Sequence, residues 1–131
     1  MRQKTVELHQ AGMNGAQAVL QALMDCEVID QMPELVKMTS TWKGGIGGNT
    51  CSAFAAATLV IGLSGEKSDE KLAIFNQWFK DNFGSISCPS ITEKAGGRPS
   101  KEQKVFCDAL SGDTAEYIYQ LCKDTQLKEK R

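Results

Sequence analysis

Five cysteines, at positions 26, 51, 88, 107 and 122 of 131 residues, are the side chains in this sequence best suited to chemistry. An odd count with no export signal points to reduced thiols and away from a disulfide scaffold. A free cysteine is by default a small buried hydrophobe, so each claim to reactivity has to come from its setting. Cys51 has the best one. It follows the run Gly44-Gly45-Ile46-Gly47-Gly48-Asn49-Thr50 and opens an apolar segment. A cysteine in the first turn of a helix faces unpaired N–H groups and the positive end of the dipole, which predicts a lowered thiol pKa. The glycine run has no side chains to shield the sulfur, so a substrate, a metal or a partner thiol is expected to approach by way of Gly47, Gly48, Asn49 and Thr50, where the free N–H groups of the helix start also suit a small anion. Cys88 precedes Pro89 in a stretch rich in turn formers, and its residue is biased toward extended backbone. Cys107 falls about two turns into a later helical pattern, where the three thiols can reach a common centre.

The elements that must position these sulfurs read as helices throughout, because no run alternates apolar and polar residues over five positions. The spacing predicts a short first helix, a break near Gly12 and a second helix ending near Cys26. A third, capped by Asp30 with Pro33 in its first turn, runs to Trp42. Asn49 or Thr50 is expected to cap a fourth helix, Cys51 to Leu63, whose small residues all round predict a central element surrounded by others. Ser68-Asp69-Glu70 reads as the cap of a fifth, with Leu72, Phe75, Trp78, Phe79 and Phe83 as its core stripe. Residues 84–99 read as a long loop. Ser100 to Gln103 reads as a capping box opening a last helix that Ser111-Gly112-Asp113 bends or restarts, with a charged tail at 123–131 expected to fray. The expectation is an all-α, compact single-domain bundle of five to seven helices spanning 1–131.

Composition excludes several classes. With 15 Lys+Arg against 16 Asp+Glu and no basic cluster, nucleic acid is not expected as a partner. The longest apolar run, 13 residues, is too short for a membrane span, and the charged start predicts a cytoplasmic protein. The glycine run lacks the third glycine of a dinucleotide fingerprint and the lysine of a phosphate loop. There is no nucleophile elbow, and a hydrolase triad would have to use His9, which reads as an ordinary surface or boundary residue.

The arrangement resembles the family of redox-active proteins named for the pattern Cys, then Gly-Cys-Ala-x-x-Gly, then Cys, then Cys. Asn14-Gly15-Ala16-Gln17-Ala18-Val19 is similar to its opening Asn-Cys-Ala-x-Ala-Val segment. Gly44 to Gly48 and Cys51 to Leu63 resemble its glycine-rich loop and small-residue helix. Phe79, Phe83, Gly84 and Cys88 match Phe-x-x-x-Phe-Gly-x-x-x-Cys, and Cys107 falls at the final cysteine. Two departures stand out: Gly15 replaces the first cysteine, and Thr50-Cys51-Ser52-Ala53-Phe54-Ala55 keeps the size but not the letters of the central motif.

The resemblance implies a small helical protein whose cysteines are redox-active or bind metal. As a redox site, Cys51 would attack, Cys88 or Cys107 would resolve the mixed disulfide, and the partner would be a redox protein or a small molecule. As a metal or iron-sulfur site, Cys51, Cys88 and Cys107 would need a fourth ligand from Cys122, His9, a carboxylate or water. Cys26 is a poor substitute, lying about 16 Å from Gly15 along a straight helix, and Cys122, about 22 Å from Cys107 on a straight helix, comes near it only if that helix bends at Gly112. The third reading is a non-catalytic interaction domain in which Ala53, Ala56 and Ala57 form a homodimer face. The thiol-redox reading is the expectation carried forward.

Overall fold

Apolar residues three and four positions apart become buried stripes only where neighbouring helices can come close, and small residues decide where that happens. The computed structural model of the protein describes residues 1–43, 45–65, 67–94, 96 and 101–129, with side chains as far as Cys122. In chain order its helices are α1 (Arg2–Gln10), α2 (Gly15–Asp25), α3 (Pro33–Met38), α4 (Ser52–Ser64), α5 (Ser68–Phe83), α6 (Cys88–Lys94) and α7 (Lys101–Glu129). Among the described residues β pairing is confined to the isolated bridges Ile46–Thr50 and Thr50–Ser87. Among the described residues the fold is all-α with seven helices, the upper end of the expected number.

α4 packs against α2, α5 and α7, while α1 lies on α7 and α2. Residues 52–57 of α4 are all buried, as the ring of small side chains predicts. The burial is not continuous: Leu59 and Leu63 emerge on the outer face at 37% and 50% exposure, so α4 is enclosed over its first half only. Ala53, Ala56 and Ala57 are buried within the chain, so they serve internal packing and not a homodimer face. From α5, Phe75 and Phe79 are buried and meet Phe54 of α4 with ring centroids 5.4 Å and 5.0 Å away. Leu72, placed in that stripe by its spacing, faces solvent instead.

Several boundaries differ from the expected ones. α3 is capped by Met32, not Asp30, and stops at Met38. Lys67, in the left-handed region, precedes α5, and Ser68 is already helical. The segment 84–99 is not one long loop: α6 occupies 88–94, with Pro89 in its first turn, where a missing N–H costs no hydrogen bond. The proposed capping serine, Ser100, lies outside the described residues, as do Gly44, Gly97 and Pro99. α7 runs unbroken through Ser111-Gly112-Asp113, and its backbone stays helical to Glu129 where fraying was expected.

Gly112 has a different task. A Cβ there would lie 2.9 Å from Arg2 Cγ, 3.1 Å from Val6 Cγ2 and 3.2 Å from the Arg2 carbonyl oxygen. The missing side chain lets α1 lie directly on α7, and an Arg2–Asp113 ion pair with N···O 2.7 Å flanks the contact. Because the helices run antiparallel there, the end of α1 is carried toward residues one turn earlier on α7.

Candidate functional site

The first half of α4 begins at its N-cap, and that residue is Cys51 itself, one or two residues after the expected caps Thr50 and Asn49. Two backbone bonds fix its place. The Cys51 N–H donates to the Ile86 carbonyl at 2.7 Å, and the Cys88 N–H donates to the Asn49 carbonyl. These bracket Thr50 and Ser87, an antiparallel pair of the non-hydrogen-bonded kind, in which the two chains approach most closely. The glycine run makes this possible by turning back on itself, with the Ile46 N–H donating to the Thr50 carbonyl at 2.8 Å. At Gly45, φ is +92°, and a Cβ would lie 2.6 Å from the Thr50 oxygen and 2.9 Å from Cys88 Cβ. Only glycine fits there. The turn thus clamps the start of α4 to the start of α6, and with them Cys51 and Cys88.

A cavity of about 490 Å³ opens beside this clamp, and Cys51, Cys88 and Cys107 all line it. Cys51 and Cys88 are buried, whereas Cys107 is partly exposed. The buried Gln103, one turn earlier on α7, donates from Nε2 to Cys107 Sγ at 3.0 Å. Gly15 also lines the cavity, so all four positions that correspond to family cysteines border the same space. Asn14 caps α2 through a reciprocal capping box with Gln17, its Oδ1 accepting from the Gln17 N–H at 2.9 Å, which sets Gly15 in the first turn. A side chain at Gly15 would meet Ser111 Oγ at 3.1 Å and Ser52 Oγ at 3.3 Å. Two serine hydroxyls therefore crowd the space where the family's first cysteine would project.

The other cysteines lie elsewhere. Cys26 ends α2, at the opposite end from Gly15. Cys122 is buried on α7 near the buried Lys71, and with α7 unbent it stands about 22 Å along the axis from Cys107. Gly47, Gly48, Asn49 and Thr50 are not among the lining residues: Gly47 and Gly48 are exposed at the turn, and Asn49 and Thr50 pair with 86–88.

The electrostatics of Cys51 reverse the sequence-based expectation. Burial pushes its thiol up to about 11, because the thiolate would lose its hydration. The amides of Ala53 and Phe54 at the start of α4 pull the other way, as a helix N-terminus should, but desolvation is the larger effect. Cys88 and Cys107 push it further up through charge repulsion. Both are thus close enough to sense the Cys51 sulfur. Stability follows from this. An acid that ionises near 9 unfolded and near 11 folded keeps its proton longer in the native state, so its contribution is intact below about pH 9 and is lost as pH rises toward 11. At pH 10.5 the loss is about 2 kcal/mol. Denaturant unfolding at pH 8 and 10.5 checks it: Cys51→Ala is expected to lose about 2 kcal/mol less than the wild type over that interval. The buried Cys122, also shifted upward, is present in both proteins and cancels.

The cavity wall also includes His9 and Asp108. His9, read as an ordinary surface or boundary residue, is a boundary residue of that wall, hydrogen-bonded through Nδ1 to Asp108 Oδ1. His9 lies one turn beyond Thr5, the fully buried residue of α1, so part of the inward face of this helix is polar. Asp108 directly follows Cys107.

Among the described residues no group of three or more His, Cys, Asp or Glu side chains is placed to hold a metal ion. No helix among them is long and apolar enough to cross a membrane. A model of the family described as "Putative redox-active protein (C_GCAxxG_C_C)" matches residues 13–121. No curated protein and no solved structure matches the chain.

Proposed function

Because the chain belongs to the C_GCAxxG_C_C family, we propose that it carries out thiol-disulfide exchange in the cavity bounded by Cys51, Cys88 and Cys107. The observation that carries this reading is one cavity bordered by three thiols remote in sequence, of which one is open to solvent and two are buried. Their accessibility orders the steps. Cys107, partly exposed and with the Gln103 amide directed at its sulfur, meets the incoming disulfide. Its thiolate attacks one sulfur of R–S–S–R′, the S–S bond breaks, and R′S⁻ leaves and takes a proton. Cys51 then attacks the Cys107 sulfur of the mixed disulfide and releases R–S⁻, which is protonated in turn. Two protein thiols are oxidised to one disulfide and the substrate disulfide is reduced to two thiols, so electrons and protons balance.

The test is incubation of the reduced protein with oxidised glutathione under anaerobic conditions, with products assigned by peptide mass spectrometry. The wild type is expected to form a Cys51–Cys107 disulfide, Cys51→Ser to stop at the Cys107 mixed disulfide, and Cys107→Ser to react at least about tenfold more slowly. A wild type that forms neither the mixed nor the internal disulfide defeats the reading.

A further inference from the structure

His9 and Asp108 take no part in the exchange as written, yet both border its cavity. Their side chains are only 19% and 16% exposed. A carboxylate can only accept, so the Asp108 contact holds the Nδ1–H tautomer and leaves Nε2 as the nitrogen able to take a proton. Gln10 Nε2 donates to the second carboxylate oxygen at 3.4 Å. The close seating of α1 on α7 at Gly112 brings His9 to Asp108 across nearly the whole length of the chain.

We propose that the His9–Asp108 pair is the proton-exchange group of this site, with His9 Nε2 accepting the proton of the attacking Cys107 thiol, directly or through one water, and Asp108 as the positioning residue. The inference rests on the thiol-exchange reading and adds to it the base that reading leaves unassigned. The proton leaves Cys107 Sγ for His9 Nε2, giving a thiolate and an imidazolium whose charge Asp108 offsets. After the substrate S–S bond breaks, the imidazolium returns that proton to the leaving R′S⁻. No net proton is consumed, and the imidazole is neutral for the second step. There the Cys51 thiol gives up its proton and R–S⁻ gains one.

Other charges share the space. From α7 come Asp108, Lys104 and Cys107; Lys43 stands before the glycine turn, with Cys51 and Cys88 at the clamp. α2 contributes Asn14 and Gly15 to the wall, neither of them titratable.

The experiment is the rate of iodoacetamide alkylation at Cys107 from pH 5 to 9, read peptide by peptide, in wild type, His9→Gln, Asp108→Asn and Asp108→Glu, with Cys26 as the internal control. His9→Gln is expected to react about tenfold more slowly than the wild type at pH 7 and to follow the simple rise with pH of an unassisted thiol. Asp108→Asn is expected to react slowly as well and Asp108→Glu to recover the wild-type rate, because the carboxylate fixes the imidazole tautomer; a purely structural contact would not be rescued in this way. Cys26 rates stay unchanged if the fold is intact. A Cys107 profile in His9→Gln that superposes on the wild type overturns the inference while leaving disulfide formation with glutathione untouched. Failure of that reaction with a shifted profile would defeat the exchange reading instead.

Discussion

Native protein treated with iodoacetamide at pH 7 is expected to react at Cys51 at least about tenfold more slowly than an ordinary exposed thiol does. The figure follows from opposing effects. A thiol ionising near 11 is about one part in ten thousand thiolate at pH 7, against about 1% for one ionising near 9, a deficit of about 100-fold. Thiolates of higher pKa are intrinsically better nucleophiles, which returns about 8-fold of this. Enclosure of Cys51, 8% exposed, slows access further. Cys107 and Cys26, both partly exposed, are expected to label ahead of Cys51. Raising the pH from 9 to 11 should restore Cys51 reactivity steeply. Labelling of Cys51 ahead of Cys26 at pH 7 would show that the helix start outweighs burial after all.

That competition explains what could and could not be read from the letters. The glycine run, the small-residue helix and the cysteine spacing were enough to place Cys51 at the start of α4, since those are local properties of turn and helix formation. The sign of its pKa shift depends on how much water the neighbouring helices exclude, a quantity with no local signature. α6 was hidden for a related reason: seven residues between turn formers carry too little periodicity to stand out from a loop. The place of His9 in the cavity wall was hidden because its helix turns Thr5 inward, and apolar spacing cannot register a polar wall. Gly112 read as a bend when it is a contact surface. A glycine inside a helix has the same letter whether it relieves backbone or admits a neighbour, and only the position of Arg2 and Val6 separates the two.

Gly45→Ala should be the most damaging single-atom enlargement in the clamp, costing about 2–4 kcal/mol and lowering Tm by about 10 °C. Two penalties combine. At φ +92° a side chain meets its own backbone, and the added carbon would also sit 2.6 Å from the Thr50 carbonyl oxygen and 2.9 Å from Cys88 Cβ, neither of which is the flexible end of a side chain. Relief requires the turn to move away from α6, which stretches the Cys51–Ile86 and Cys88–Asn49 hydrogen bonds together. Gly47→Ala is the matched control. It lies in the same turn with φ +60° and open space around the new carbon, so it bears the backbone penalty alone, about 1 kcal/mol. Denaturant unfolding should separate the variants by at least about 1 kcal/mol, and Cys88, buried in the wild type, should alkylate faster in Gly45→Ala than in Gly47→Ala. Equal losses in the two variants, with Cys88 equally protected, would mean that positive φ alone sets the cost and that the close approach at Gly45 does not hold Cys88 against the cavity.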